Sequence, residues 1–150
     1  MFLEAAPVVG LTAYTAYTDL KQREVKHWPV VSVALYGIVY NIINGGIVET
    51  LIYSAGVFSM LIIVYVLAEK LTGTGFGGGD VKILSALSLF YGSNSILIIL
   101  ISCIVAIIYG IVYAIITKQP SILKTKTPFV PAVFIAVLIF SFLQTGGILT

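Results

Sequence analysis

Apolar residues run through this chain in six blocks, at 5–18, 29–43, 47–68, 81–91, 95–117 and 128–149. A helix of about 20 apolar residues crosses a bilayer, and shorter ones serve where protein or water lines part of the path. Each block is therefore predicted to be a membrane-spanning helix. The expected fold class is all-α, a polytopic six-helix transmembrane bundle with a short fourth helix, forming a single domain over residues 1–150. Between the blocks, long polar links at 19–28, 69–80 and 118–127 alternate with three-residue turns at 44–46 and 92–94. That alternation puts the three long links on one side of the membrane.

Composition agrees with this reading. Hydrophobic residues make up 59% of the chain and charged residues 9%, with a mean hydropathy of +1.11, whereas a soluble domain carries about 25% charged residues. Lys21, Arg23, Lys26, Lys70, Lys82, Lys118, Lys124 and Lys126, which are all the basic residues, lie in or beside the long links. The opposite side carries only Glu4 and Glu49. The excess of Lys and Arg faces the cytoplasm in membrane proteins, so the long links are expected inside and both termini outside. The net charge of +2 thus bears on orientation, and nucleic acid is not an expected partner.

Met1-Phe2-Leu3-Glu4 lacks the basic start of a secretory signal, so the first block is expected to be a retained span. The single cysteine, Cys103, lies in an apolar block and is expected to be a small core hydrophobe. Tyr17, Trp28 and Tyr91 stand near block ends and read as interfacial anchors.

The fourth block is the odd one. At 1.5 Å per residue a helix over 81–91 is about 16 Å long, too short for a hydrocarbon layer of about 30 Å. Either the turn at 92–94 is recessed from outside or Asp80 is submerged from inside, and both imply a cavity at this helix. If blocks four and five merged into one span, the last link would change sides.

Chemistry concentrates on two residues. Asp19 and Asp80 are the only aspartates, each placed where a block meets the side of the long links. Asp19 ends the first block, near a helix C-terminus where the dipole disfavours a negative charge. On position alone it could be an interfacial acid compensated by Lys21 or Arg23. Asp80 follows a stretch with five glycines in the seven positions 73–79, which is expected to hold no helix. It could be the N-cap of the helix that starts at Val81, although a cap explains one residue and not the glycines. No Lys-Ser or Lys-Thr follows the last glycine, so this is not a phosphate-binding loop.

Taken together, two carboxylates at membrane depth share one proton, an arrangement in which one activates water and the other protonates an amide. Such hydrolysis requires no cofactor. His27 is the only histidine and no thiolate or carboxylate cluster has ligand spacing, so no metal site is expected. Lys82 reads as a snorkelling residue or as a group orienting Asp80. Glu24 and Glu69 are surface acids able to attract a basic peptide, and His27 is assigned to the headgroup layer.

These residues resemble the membrane aspartyl proteases with a Gly-x-Gly-Asp motif, specifically the type IV prepilin and preflagellin peptidases. Asp19-Leu20-Lys21 through Trp28-Pro29 is similar to the family's first motif, an aspartate ending the first helix, then basic residues and a proline opening the second. Gly77-Gly78-Gly79-Asp80-Val81-Lys82 is similar to the second, and Pro128-Phe129-Val130-Pro131 resembles the Pro-Phe segment that opens the last helix, in the archaeal style. The resemblance implies Asp19 and Asp80 as the catalytic pair, with Gly77, Gly79, Lys82, Glu24 and Glu69 as motif or substrate-binding residues. It implies a pilin-like or flagellin-like precursor as partner, its basic leader cut at the cytoplasmic membrane face. Val25-Lys26-His27-Trp28-Pro29 departs from the Ile-Pro-Asn of many members, and the cysteine-rich insert of bifunctional members is missing, so N-methyltransferase activity is not expected.

Two other readings use the same residues. A presenilin-like protease cutting inside the bilayer is favoured by Pro131-Ala132-Val133 and disfavoured by Thr18, where that group has tyrosine before the aspartate. A small proton-coupled transporter would use Asp19 and Asp80 as a relay.

Overall fold

In a computed structural model of the chain, the described residues are 2–22, 24–72, 77–117 and 129–145. They form α1 (Phe2–Gln22), α2 (His27–Ile43), α3 (Ile47–Thr72), α4 (Gly78–Tyr91), α5 (Ser95–Thr117) and α6 (Val130–Thr145), with a 3-10 turn, Gly92–Asn94, between α4 and α5. No strand occurs among the described residues. Arg23, residues 73–76, the link at 118–127 and Pro128 lie outside them.

The helices outrun the apolar blocks at their polar ends. α1 continues through Asp19 to Gln22, α3 runs through Glu69 and Lys70 to Thr72, and α4 starts at Gly78 instead of Val81. Hydropathy marks where a segment stops suiting lipid, whereas the backbone ladder continues until a residue or a link breaks it.

Two stretches are long and apolar enough to cross a membrane, Ile47–Lys70 and Gly78–Val112, and His27–Ile43 and Val130–Thr145 are shorter apolar helices. The second long stretch is broken at Gly92, whose φ of 55° and ψ of −127° suit a residue without Cβ. α4 and α5 are therefore separate helices.

α4 is the centre of the packing. It lies against α2 and α3, while α6 lies against α1 and α5. Nine of its 14 residues are buried, and at 1.5 Å per residue it is about 21 Å long. The outer helices are built the other way, with one packed stripe each. On α3 the buried positions are Thr50, Ser54, Val57 and Leu61, and on α5 they are Ser95, Ile98 and Ser102. These follow the three-to-four-residue spacing of a helix face, and their small hydroxyls let helices approach closely. The remaining faces expose large apolar side chains such as Ile52, Phe58, Ile104 and Ile107. Cys103 is on such an exposed face, contrary to the expectation of a core position. α5 is apolar all round, so its sequence does not say which side packs.

α2 and α4 approach each other closely. A Cβ on Gly37 would lie 2.7 Å from the main-chain carbon of Leu89 and from the nitrogen of Phe90, so the two backbones touch. One turn on, Asn41 Nδ2 donates to the carbonyls of Gly37 and Leu89 at 2.9 Å and of Phe90 at 3.3 Å. The last carbonyls of a helix lack partners within it, and Asn41 supplies one from the neighbouring helix. At the same end Tyr36 Oη donates to the Glu4 carbonyl at 2.7 Å and Tyr40 Oη to Glu4 Oε2 at 3.0 Å, which ties α2 to the start of α1.

Tyr91 is buried here, edge-on to Phe90 and Phe140, and is no interfacial anchor, because the Gly92 turn brings the end of α4 under α6. Tyr17 and Trp28 are exposed. A cavity of about 60 Å³, lined by Glu4, Tyr40, Phe90, Tyr91, Asn94 and Gln144, lies beside this turn.

The α2–α4 crossing generates a test. Gly37→Ala is expected to lower stability by about 3 kcal/mol, the upper end of overpacking costs, because main chain must move. Gly10→Ala, at a helical position with nothing within 4 Å of the added atom, is expected to be neutral or slightly stabilising. Thermal unfolding of the two variants in detergent measures the difference.

Candidate active site

Asp19 is buried because it continues a stripe. Ala5, Val8, Thr12, Thr15, Ala16 and Asp19 follow one another at helical spacing on α1, and all are buried. The hydroxyls on this face bond within their own helix, Thr12 Oγ1 to the Val8 carbonyl at 2.8 Å and Thr15 Oγ1 to that of Leu11 at 2.7 Å. Asp19 has no such local option, since a carboxylate only accepts. Its donor comes from another helix: the main-chain N–H of Val130, the first residue of α6, lies 3.2 Å from Asp19 Oδ2. A carboxylate in the last turn of α1 is thus set against the positive end of α6. Lys21, one candidate for compensating Asp19, lies instead over the Tyr17 ring, 5.9 Å from its centroid, and Arg23 is outside the described residues.

Asp80 occupies the third position of α4, and Gly77 is the N-cap, which corrects the expectation of Asp80 as cap and, for Gly78 and Gly79 alone, that of a helix-free glycine run; residues 73–76 lie outside the described residues. Gly77 is extended at φ −60° and ψ 123°, and its carbonyl accepts the Asp80 N–H at 2.9 Å. In return the Asp80 carboxylate accepts the Gly77 N–H, the geometry of an acidic residue reaching back over the first turn. Gly78 and Gly79 are helical because the first turn owes no i−4 bonds and its start is held by this reciprocal pair.

The glycines have separate roles. A Cβ on Gly77 would sit 2.6 Å from Asp80 Oδ2, so the carboxylate rests where a side chain would be. A Cβ on Gly79 would sit 2.6 Å from Val25 Cγ2 and 2.8 Å from its Cβ. The link between α1 and α2 is therefore seated on the first turn of α4, which brings the two aspartate motifs together.

The relative exposures of Asp19 and Asp80 are 7% and 9%, and the charge of Asp19 acts on the Asp80 carboxyl. Burial and a like charge nearby both disfavour ionising the two carboxyls together. Lys82, Glu24 and Glu69 are exposed. Among the described residues no group of three or more His, Cys, Asp or Glu side chains comes together.

Two participants escaped the sequence reading. Val25 sits within the first motif but has no chemistry to mark it; only its fit to Gly79 does. Val130 lies in the Pro-Phe segment and contributes a main-chain N–H, which no side-chain pattern can signal.

The Gly79–Val25 contact gives a second test. Val is stiff at χ1 and its Cβ is itself too close, so Gly79→Ala is expected to cost about 2 kcal/mol of stability. Combined with Val25→Gly, which removes the opposing atoms, the same change is expected to cost much less. Denaturant titration of the two singles and the double in detergent gives the coupling.

Comparison with curated proteins and with solved structures gave no match. The model of the type IV leader peptidase family matches residues 7–111, a stretch that contains both buried aspartates and the glycine turn and ends within α5. Since the match takes in well over half of the 150 residues, this membrane protein belongs to the type IV leader peptidase family.

Proposed function

We propose that the chain is an aspartic endopeptidase of the cytoplasmic membrane, which removes a short basic leader from a type IV pilin-like or archaeal flagellin-like precursor. The observation that carries this reading is the burial of Asp19 in the last turn of α1 and of Asp80 in the first turn of α4, with Asp19 near enough for its charge to act on Asp80. Membership of a leader peptidase family implies a precursor protein as substrate. The aspartic mechanism, the substrate class and the membrane face are our inferences, drawn from the two carboxylates and the one-sided basic residues. In this reading all six helices cross the membrane, as a single domain. The long links face the cytoplasm and both termini face out.

A pair sharing one proton suffices for amide hydrolysis. The ionised carboxyl takes a proton from water as its oxygen bonds to the scissile carbonyl carbon, and the protonated carboxyl gives its proton to the carbonyl oxygen. Collapse of the resulting diol returns a proton to the second carboxyl while the first protonates the amide nitrogen, and the C–N bond breaks. One water is consumed and the pair is regenerated. Gly77 and Gly79 serve the chemistry by shaping the turn. Glu24, Glu69 and Lys82 stand exposed where a charged leader would pass, and the acids suit a basic one.

Asp19→Asn and Asp80→Asn are each expected to lower cleavage of a co-reconstituted precursor by about a thousandfold or more while leaving the protein folded. Either variant working at the wild-type rate would falsify the proposal. Sequencing the new N-terminus locates the cut: before the substrate's apolar helix for a leader peptidase, within it for an intramembrane protease.

The shared proton also fixes the pH dependence. Cleavage is expected to fall at low pH, where both carboxyls are protonated and none accepts from water, and at high pH, where both are ionised and none donates. A bell-shaped kcat/KM profile is the expected outcome, and a pH-independent rate counts against the pair.

A further inference from the structure

We infer that the first residue of α6 is a positioning residue for this site, its main-chain N–H holding Asp19 in place and favouring its ionised form. The inference rests on the proposed aspartic mechanism for its catalytic meaning, and on geometry alone for its physical content. Asp19 Oδ2 accepts the Val130 N–H at 3.2 Å in a buried setting. That N–H belongs to the first turn of a helix, where donors have no partner within the helix and the dipole is positive. Ala132 N–H, by contrast, is already bonded to the Phe129 carbonyl at 2.9 Å. The contribution comes from beyond residue 111, where the family match ends, so α6 completes a site whose two side chains come from α1 and α4.

Among the described residues, which do not include Arg23 or the link at 118–127, the other groups around Asp19 do not duplicate this donor. Asp80, on α4, is a like charge. On α1 itself Lys21 is engaged over Tyr17, and Glu24, His27 and Lys82 are exposed. α6 contains no titratable residue over 130–145. A hydrogen bond to a charged acceptor is among the stronger kinds, so its removal should make Asp19 harder to ionise.

With only two aspartates in the chain, the Asp80→Asn background leaves Asp19 as the sole aspartate. Labelling with 13Cγ-aspartate then gives one carboxyl resonance in the full-length protein in micelles. Replacing Val130 by its α-hydroxy acid analogue exchanges the N–H for an ester oxygen with little steric change. The midpoint of the Asp19 titration is expected to rise by about one pH unit or more. Val130→Pro, tolerated at a first helical position, should do the same, and if that variant misfolds the ester decides. Val130→Ala keeps the N–H and should leave the midpoint in place. An unmoved midpoint in the ester protein overturns the inference.

In protein with Asp80 intact, the acid limb of the cleavage profile should move to higher pH by a similar amount. Wild-type cleavage by Asp19→Asn protein would remove the catalytic reading and leave the titration result standing. An unmoved midpoint alongside an inactive Asp19→Asn protein removes only the present inference.

Discussion

A buried carboxylate accepts hydrogen bonds and donates none, so it persists only where N–H groups are brought to it. In this protein the donors are main-chain groups at the starts of two helices, Val130 of α6 for Asp19 and Gly77 of α4 for Asp80. Much of the architecture serves that requirement. α6 has to begin beside the last turn of α1, and α4 has to begin with a turn slim enough for its own carboxylate to fold back over Gly77. The first turn of a helix is the one place where backbone donors are free of the helix ladder. Two such turns make places for two buried acids with, among the described residues, no buried lysine or arginine.

Holding two helix starts against the end of a third demands stiffness elsewhere. α4 is gripped along its length by α2 and α3, with its far end fixed to α2 through the Gly37 contact and the two α4 carbonyls, of Leu89 and Phe90, that Asn41 reaches. Ser88 Oγ meets Ser54 Oγ of α3 at 3.0 Å. At the site end the seating of Val25 on Gly79 fixes the α1–α2 link. Small residues recur at these contacts because apolar side chains gain little by leaving lipid for protein, and close backbone approach takes over as the source of attraction.

Particular residues show how far the sequence could be read. The all-helical class followed from the apolar blocks, and the burial of Asp19 could have been read from the stripe Val8, Thr12, Thr15. Asp80 was identified by its glycines, yet its position in the helix was not, since a glycine run looks the same whether it forms a loop or a first turn stabilised from inside. The division of blocks four and five held because Gly92 provides a backbone conformation that other residues avoid. Cys103 and Tyr91 were misjudged for a shared reason. In segments that are apolar on every side, hydropathy carries no information about which face packs.

What the sequence determined by itself was the composition of each segment and the chemistry available: helices by hydrophobic length, two carboxyls as the only aspartates, and glycines where side chains could not fit. The tertiary structure alone decided that Val130 serves Asp19 and Val25 serves Gly79, residues separated from their partners by 111 and 54 positions. A main-chain N–H is identical in almost every residue, and a steric fit belongs to two surfaces at once. Neither leaves a mark in one segment read alone, so both exist only once the helices have met.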